Sequence, residues 1–211
     1  MRTVYVIDDD VDVRKSLHFL LETASIRALL FAGADDFLAL LPDLAPAPIL
    51  IDVRMPGVDG LQLLLMLKQR GIAWPVVMMT AHGDVPMAVH AMKHGAIEFL
   101  EKPFSAETLD ATLDLAFALI EQLDQAQSAR KTARQQIARL TPRESDVLTL
   151  LMRGALNKVA AHRLGLSPRT VEMHRGNALA KLGLKTVIEV MALYARAGLV
   201  DPAPSPGDTT A

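Results

Sequence analysis

The sequence contains no cysteine, so it holds neither a disulfide framework nor a thiolate metal site. That absence fits a reducing compartment. It also lacks any uncharged apolar run of about 18 residues, the length a transmembrane helix needs. The triplet Asp8-Asp9-Asp10 comes too early for a signal peptide. The expectation is a soluble cytoplasmic protein with no membrane partner. A strong net charge is missing too, since the formal balance is only −2, but that balance hides an asymmetry. Residues 1–120 carry 9 Lys and Arg against 16 Asp and Glu, a net of −7. Residues 139–200 carry 10 against 4, a net of +6. Opposite signs predict two modules with different partners, the basic one a candidate for nucleic acid.

What is present is a regular alternation. Short apolar runs near 3–7, 27–31, 48–52, 75–79 and 97–100 read as strands buried on both faces. Amphipathic patterns near 11–24, 34–41, 59–70 and 85–94, and a fifth from about 105, read as helices. Five βα units predict an α/β fold, a doubly wound five-stranded parallel sheet, over residues 1–121. Asp10 is expected to cap the first helix and Ser105 the fifth.

Residues 122–138 are rich in Ala, Gln and Arg without Gly or Pro, which favours helix. Leu119, Leu123, Ala126, Arg130, Ala133, Ile137 and Leu140 fall at heptad spacing. A coiled coil with that seam would be weak, because the residues are small and Arg130 is charged. A solvated helical linker is the preferred reading. Residues 139–200 then form a second, all-α domain of four helices containing a helix-turn-helix. Thr141-Pro142-Arg143-Glu144 is a capping box with Pro at the first helical position. Residues 201–211 are Pro-rich and polar and are expected to be disordered.

Side chains just past parallel strands gather at one edge of the sheet. Here these are Asp8 and Asp9 after the first strand, Asp52 after the third, Thr80 after the fourth and Lys102 after the fifth. Asp8, Asp9 and Asp52 can supply the oxygens that Mg²⁺ requires, with water and a backbone carbonyl. Asp52 is the candidate nucleophile toward phosphorus, exposed by the turn at Pro56-Gly57. Lys102 supplies a point charge and Thr80 a hydroxyl to phosphoryl oxygens. An isolated Asp after a strand is usually a cap or turn former; four such features in strand order are not so explained. His82, His90 and His94, with His18, offer no matching metal spacing and read as surface or packing residues.

The segments VYVIDDD, DVRMPGVDG, MTAHGDVPMAVHAMKHGAIEFLEKPF and LTPRE…NK…LSPRTVEMHR resemble two-component response regulators. They are similar in particular to the FixJ type, a flavodoxin-like receiver joined to a NarL/LuxR-type DNA-binding domain. The resemblance implies that Asp52 is the phosphoacceptor, Asp9 a direct metal ligand and Asp8 a water-mediated one. It implies that the Arg54 carbonyl completes the Mg²⁺ site, that Thr80 and Lys102 hold the phosphoryl group, and that Lys102-Pro103 is cis. Thr80 and Phe99 match the switch positions, though Phe99 lacks the hydroxyl of the Tyr common there. Residues 85–100 would form a phosphorylation-dependent homodimer. Val13, Arg14, Leu17 and Phe104 would meet a sensor histidine kinase. Promoter DNA and RNA polymerase are further implied partners. The alternatives weighed are a phosphatase or phosphotransferase using Asp52, and a regulator that binds DNA without phosphorylation. The implied protein is not an enzyme.

The helix expected from Pro168 to Leu182 carries Arg169, Glu172, Met173, His174, Arg175, Asn177 and Lys181. It suits a recognition helix in the major groove. Arg169, Arg175, Lys181 and Lys158 can reach phosphates, and Thr170 adds to the helix-start anion site capped by Ser167. By the resemblance, Glu172, Met173 and Gly176 face base edges. Glu172 could accept from cytosine N4 and Met173 touch a thymine methyl. Gly176 departs from relatives that bear Lys or Ala and costs about 1 kcal/mol of helix stability against Ala. Leu156 and Ala160 also depart from the family pattern. Val171, Leu179 and Leu182 read as core.

Overall fold

The computed structural model describes residues 2–81 and 85–199. His82 and the tail 201–211 lie outside the described residues. The chain divides into two compact units, Met1–Leu123 and Asp124–Ala211.

In the first unit, β1 (Thr3–Ile7), β2 (Arg27–Phe31), β3 (Ile49–Asp52), β4 (Val76–Thr80) and β5 (Glu98–Glu101) form one sheet. All pairings are parallel, and the order is β2-β1-β3-β4-β5. Parallel neighbours require crossovers, which α1 (Val11–Thr23), α2 (Ala34–Leu40), α3 (Gly60–Gln69) and α4 (Val85–Lys93) provide. The period of two along each strand sorts the core into two layers. Val4 and Val6 face one side with Leu50, Val77 and Met79, against α1 and α5 (Ala106–Ile137) through Leu17, Leu109 and Leu113. Tyr5 and Ile7 face the other with Ile49, Ile51 and Met78, against α2 and α3 through Phe37, Leu63 and Leu67.

β4 and β5 sit one residue later than the apolar runs suggest. Pro75 offers only its carbonyl, which accepts from the Ile49 N–H at 2.9 Å, so pairing begins beyond it. Thr80 is therefore the last residue of β4, paired with Glu101, rather than a residue past the strand. Asp10 caps α1 by accepting from the N–H groups of Asp12 and Val13, and Ser105 accepts from Thr108 N–H near the start of α5.

The second unit holds the C-terminal part of α5 with α6 (Pro142–Met152), α7 (Asn157–Leu164), α8 (Pro168–Leu182) and α9 (Val187–Ala197). Capping boxes at Thr141 and Thr186 start α6 and α9. Gly165 ends α7 in the turn before α8. The segment 122–138, expected as a solvated helical linker, is helical through Ile137 and solvated over part of its length. Residues 124–132 are exposed, but Ala133 is only 3% exposed and packs with Leu148, Leu182, Val190 and Leu193. Arg130 and Arg134 donate through Nε to the Ala197 carbonyl, at 3.3 and 2.9 Å. They satisfy a carbonyl at the negative end of α9. The segment is thus a helix attached to the bundle by its last turns.

Candidate functional site

The site of the first unit lies where β1 and β3 end beside one another, the crevice that the strand order opens. Asp8 and Asp52 are buried, at 1% and 7% exposure. Buried carboxylates need partners, and each has several. Asp8 Oδ1 accepts from Asp10 N–H at 2.9 Å, and Asp52 Oδ2 from Arg54 N–H at 2.7 Å. Lys102 Nζ donates to both remaining oxygens, at 2.6 Å to Asp8 Oδ2 and 2.5 Å to Asp52 Oδ1. The Lys102 backbone N–H donates to the Thr80 carbonyl at 2.7 Å, which ties the lysine to the buried end of β4. The Lys102-Pro103 peptide is cis.

The charges respond to this setting. Burial pushes the Asp8 carboxyl above the usual carboxylate range, and the hydrogen bond from Lys102 only partly opposes it. Burial alone would lower the Lys102 ammonium, but its hydrogen bonds to Asp52 and Asp8 prevail and hold it above an ordinary lysine.

Asp9 is exposed beside this pair and borders a cleft of about 490 Å³ with Arg54, Met55, Pro56, Asp59 and Met87. No three His, Asp or Glu side chains among the described residues gather closely enough to hold a metal. Lys102 instead occupies the carboxylate oxygens of Asp8 and Asp52. Phe99 is half-buried against the α2–α3 side of the core. His90 and His94 stack with centroids 4.1 Å apart, and His94 Nδ1 lies 2.7 Å from the His90 carbonyl. Arg14 Nη1 donates to the Asp8 carbonyl at 2.5 Å.

Gly60 is a site residue that sequence reading missed. A Cβ there would stand 2.2 Å from the Asp52 carbonyl oxygen. Glycine alone lets α3 begin against the backbone of Asp52, where Gly60 N–H donates to the Val53 carbonyl at 3.0 Å. The only signal was the last residue of the MPGVDG turn.

In the second unit α8 presents Arg169, Glu172 and Met173 to solvent, with His174 and Arg175 half-buried. Lys158 is exposed near the start of α7. Val171 and Leu182 are core and Leu179 packs against it. Ser167 caps α8 through Thr170 N–H at 3.1 Å, and its hydroxyl also meets the Thr170 hydroxyl at 2.8 Å. Asn157 Nδ2 approaches Glu172 Oε1 at 3.5 Å. Lys181, expected as a phosphate contact, is exposed and also has a partner within the unit. Its Nζ donates to Glu144 Oε2 at 2.8 Å, and the Glu144 side chain is buried. Glu144 also closes the capping box with Thr141. Its carboxyl is held below the usual range by the Lys181 hydrogen bond first and the Thr141 N–H next. Lys181 thus ties α8 to the start of α6.

An acidic sheet edge with a half-buried lysine, and a helix-turn-helix bundle with exposed basic residues, define a receiver joined to a DNA-binding module. Residues 4–114 match the response regulator receiver domain, and residues 138–194 match the bacterial regulatory proteins of the luxR family. The transcriptional regulatory protein FixJ of Bradyrhizobium diazoefficiens is 41% identical over 198 residues, 94% of this chain and 97% of that protein. TdiR of Thauera aromatica is 37% identical over 194 residues, 92% of this chain and 86% of that protein. The solved structure of response regulator StyR has a TM-score of 0.76 at 37% identity, covering 92% of this chain and 98% of that one. Full-length FixJ from B. japonicum has a TM-score of 0.58 at 40% identity, covering 95% and 98%. The chain belongs to the FixJ-type two-component response regulators, phosphorylation-controlled DNA-binding transcription regulators. No helix among the described residues is long and apolar enough to cross a membrane.

Proposed function

We propose that Asp52 is the phosphoacceptor and that phosphorylation is read out by Lys102 and Thr80. The single observation that carries this is the bridge from Lys102 Nζ to Asp8 and Asp52, since it sets a fixed cation beside a buried carboxylate nucleophile. A sensor histidine kinase presents a phosphohistidine. A carboxylate oxygen of Asp52 bonds to phosphorus, the P–N bond breaks, and the electron pair leaves with the imidazole nitrogen. Asp8, Asp9, Asp52 and the Arg54 carbonyl would hold Mg²⁺, whose chemistry is to neutralise phosphoryl charge. Hard oxygen donors suit that ion, and Lys102 holds one oxygen each of Asp8 and Asp52 in this structure. Lys102 then pairs with the phosphoryl oxygens and the Thr80 hydroxyl donates to them.

Phosphorylation favours a homodimer through the 85–100 face, where Val85, Val89 and Met92 leave apolar surface exposed on α4. The dimer sets two α8 helices on promoter half-sites in the cytoplasm. Arg169, Arg175 and Lys158 meet phosphates, Glu172 and Met173 meet base edges, and His174 and Thr170 border the contact. RNA polymerase is the partner at the promoter. Acetyl phosphate with Mg²⁺ tests the acceptor by intact mass. Wild type gains one phosphate and Asp52→Asn none; a labelled mutant overturns the assignment.

A further inference from the structure

Arg14 stands near the start of α1, by the positive end of the helix dipole, where an acid gains and a cation does not. The helix does not ask for that charge there. The residue is half-buried, and its Nη1 donates to the Asp8 carbonyl at 2.5 Å. That carbonyl belongs to the peptide joining Asp8 to Asp9. β1 ends at Ile7 and α1 begins at Val11, so this peptide lies in neither element. Its neighbours are already tied. The Asp8 N–H donates to the Phe31 carbonyl at 3.2 Å, and the Asp10 N–H to Asp8 Oδ1 at 2.9 Å. A peptide is planar, so holding its carbonyl sets the orientation of the whole unit, and with it ψ of Asp8 and φ of Asp9. Those two angles decide where both carboxylates stand, Asp8 in the bridge with Lys102 and Asp9 beside the cleft.

We propose that Arg14 is a positioning residue for the acid pair Asp8-Asp9, holding the peptide between them so that both acids serve one Mg²⁺ ion. The inference rests on the reading of Asp8 and Asp9 as metal-site residues. Two effects of the side chain oppose one another. Its charge repels a nearby divalent cation, so its removal alone would tighten Mg²⁺ binding. Its hydrogen bond sets the acids in place before the ion arrives, so its removal would loosen binding. The charge effect is weakened by solvent at a half-buried guanidinium. Groups that orient metal ligands are worth about 10–100-fold in affinity. The positioning effect therefore prevails.

The test titrates Mg²⁺ calorimetrically into the unphosphorylated full chain, which reads the ion without any reaction. Arg14→Ala should bind Mg²⁺ about tenfold more weakly than wild type. Arg14→Lys, which keeps the charge and a donor, should lie within about threefold of wild type. A second readout is phosphorylation by acetyl phosphate, a donor that needs no kinase contact. Arg14→Ala should need about tenfold more Mg²⁺ to reach half its maximal rate, and at saturating Mg²⁺ should come within about twofold of the wild-type rate. A merely structural role would lower the melting temperature and leave that midpoint alone. Equal or tighter Mg²⁺ binding by Arg14→Ala would overturn the proposal, as would a saturated rate that falls while the midpoint stays. Asp9→Asn separates the underlying reading. If it binds Mg²⁺ as wild type does, the acid pair does not hold the ion and the premise fails, whatever Arg14 does.

Discussion

Lys181 and Arg175 are both cations of α8, yet different roles fall to them. Lys181 is hydrogen-bonded to buried Glu144, while Arg175 has no such acid partner among the hydrogen bonds and ion pairs described. Lys181→Ala should therefore cost stability, about 1 kcal/mol after allowance for a half-exposed lysine, and leave the salt slope of DNA binding alone. Arg175→Ala should lower that slope by roughly one unit and leave stability alone. Denaturant melts and binding titrations at several salt concentrations separate the two. Glu144 adds a pH signature. Its folded carboxyl sits below its usual value, so the stability it contributes is full above the ordinary glutamate range and is lost as pH falls through the folded value. Glu144→Gln should be less stable than wild type near neutrality, and the gap should narrow in acid. A constant gap would show that packing, not charge, is the cause. The capping box at Thr141 was legible in four consecutive residues, but the Glu144–Lys181 pair spans 37 positions and no local pattern announces it. The same limit hid Gly60, whose need is set by the Asp52 carbonyl, whereas the acidic and basic residues of the sheet edge were legible because each follows an apolar run.

At the scale of elements, short continuous apolar runs and a period of about 3.6 were enough to place five strands and their helices, since buried strands and amphipathic helices differ over a few residues. The last turns of α5 were not legible. Ala133 and two arginines look like a solvated surface until α9 ends beside them. Gly198 is what makes room, for a Cβ there would stand 2.7 Å from Arg130 Nη2, and its φ of 67° already favours glycine. Ala133→Asp in the full chain should destabilise the second unit by about 3 kcal/mol, because a carboxylate would be buried without a partner. Hydrogen exchange should speed up at amides of α9 and leave those of β1 and β3 protected. Equal protection of α9 in variant and wild type would mean that the last turns of α5 contribute nothing to the bundle.

At the scale of the whole molecule, the acidic N-terminal and basic C-terminal modules divide phosphoryl chemistry from DNA binding. The proposed assembly is testable directly. Full phosphorylation should raise the mass seen by light scattering from monomer toward dimer, and Val89→Glu on the exposed face of α4 should prevent the rise. An unchanged mass in phosphorylated wild type would remove the dimer from the mechanism. The bridge made by Lys102 has one more consequence, in time rather than space. Asp8 and its lysine are separated by 94 positions and Asp52 and the same lysine by 50. At about 5–20 residues per second on the ribosome, Asp8 waits roughly 5–20 s for its counter-charge to be synthesised. For the last 50 positions of that interval the nascent chain carries both acids without the lysine that joins them, so closure of the crevice must await the fifth strand.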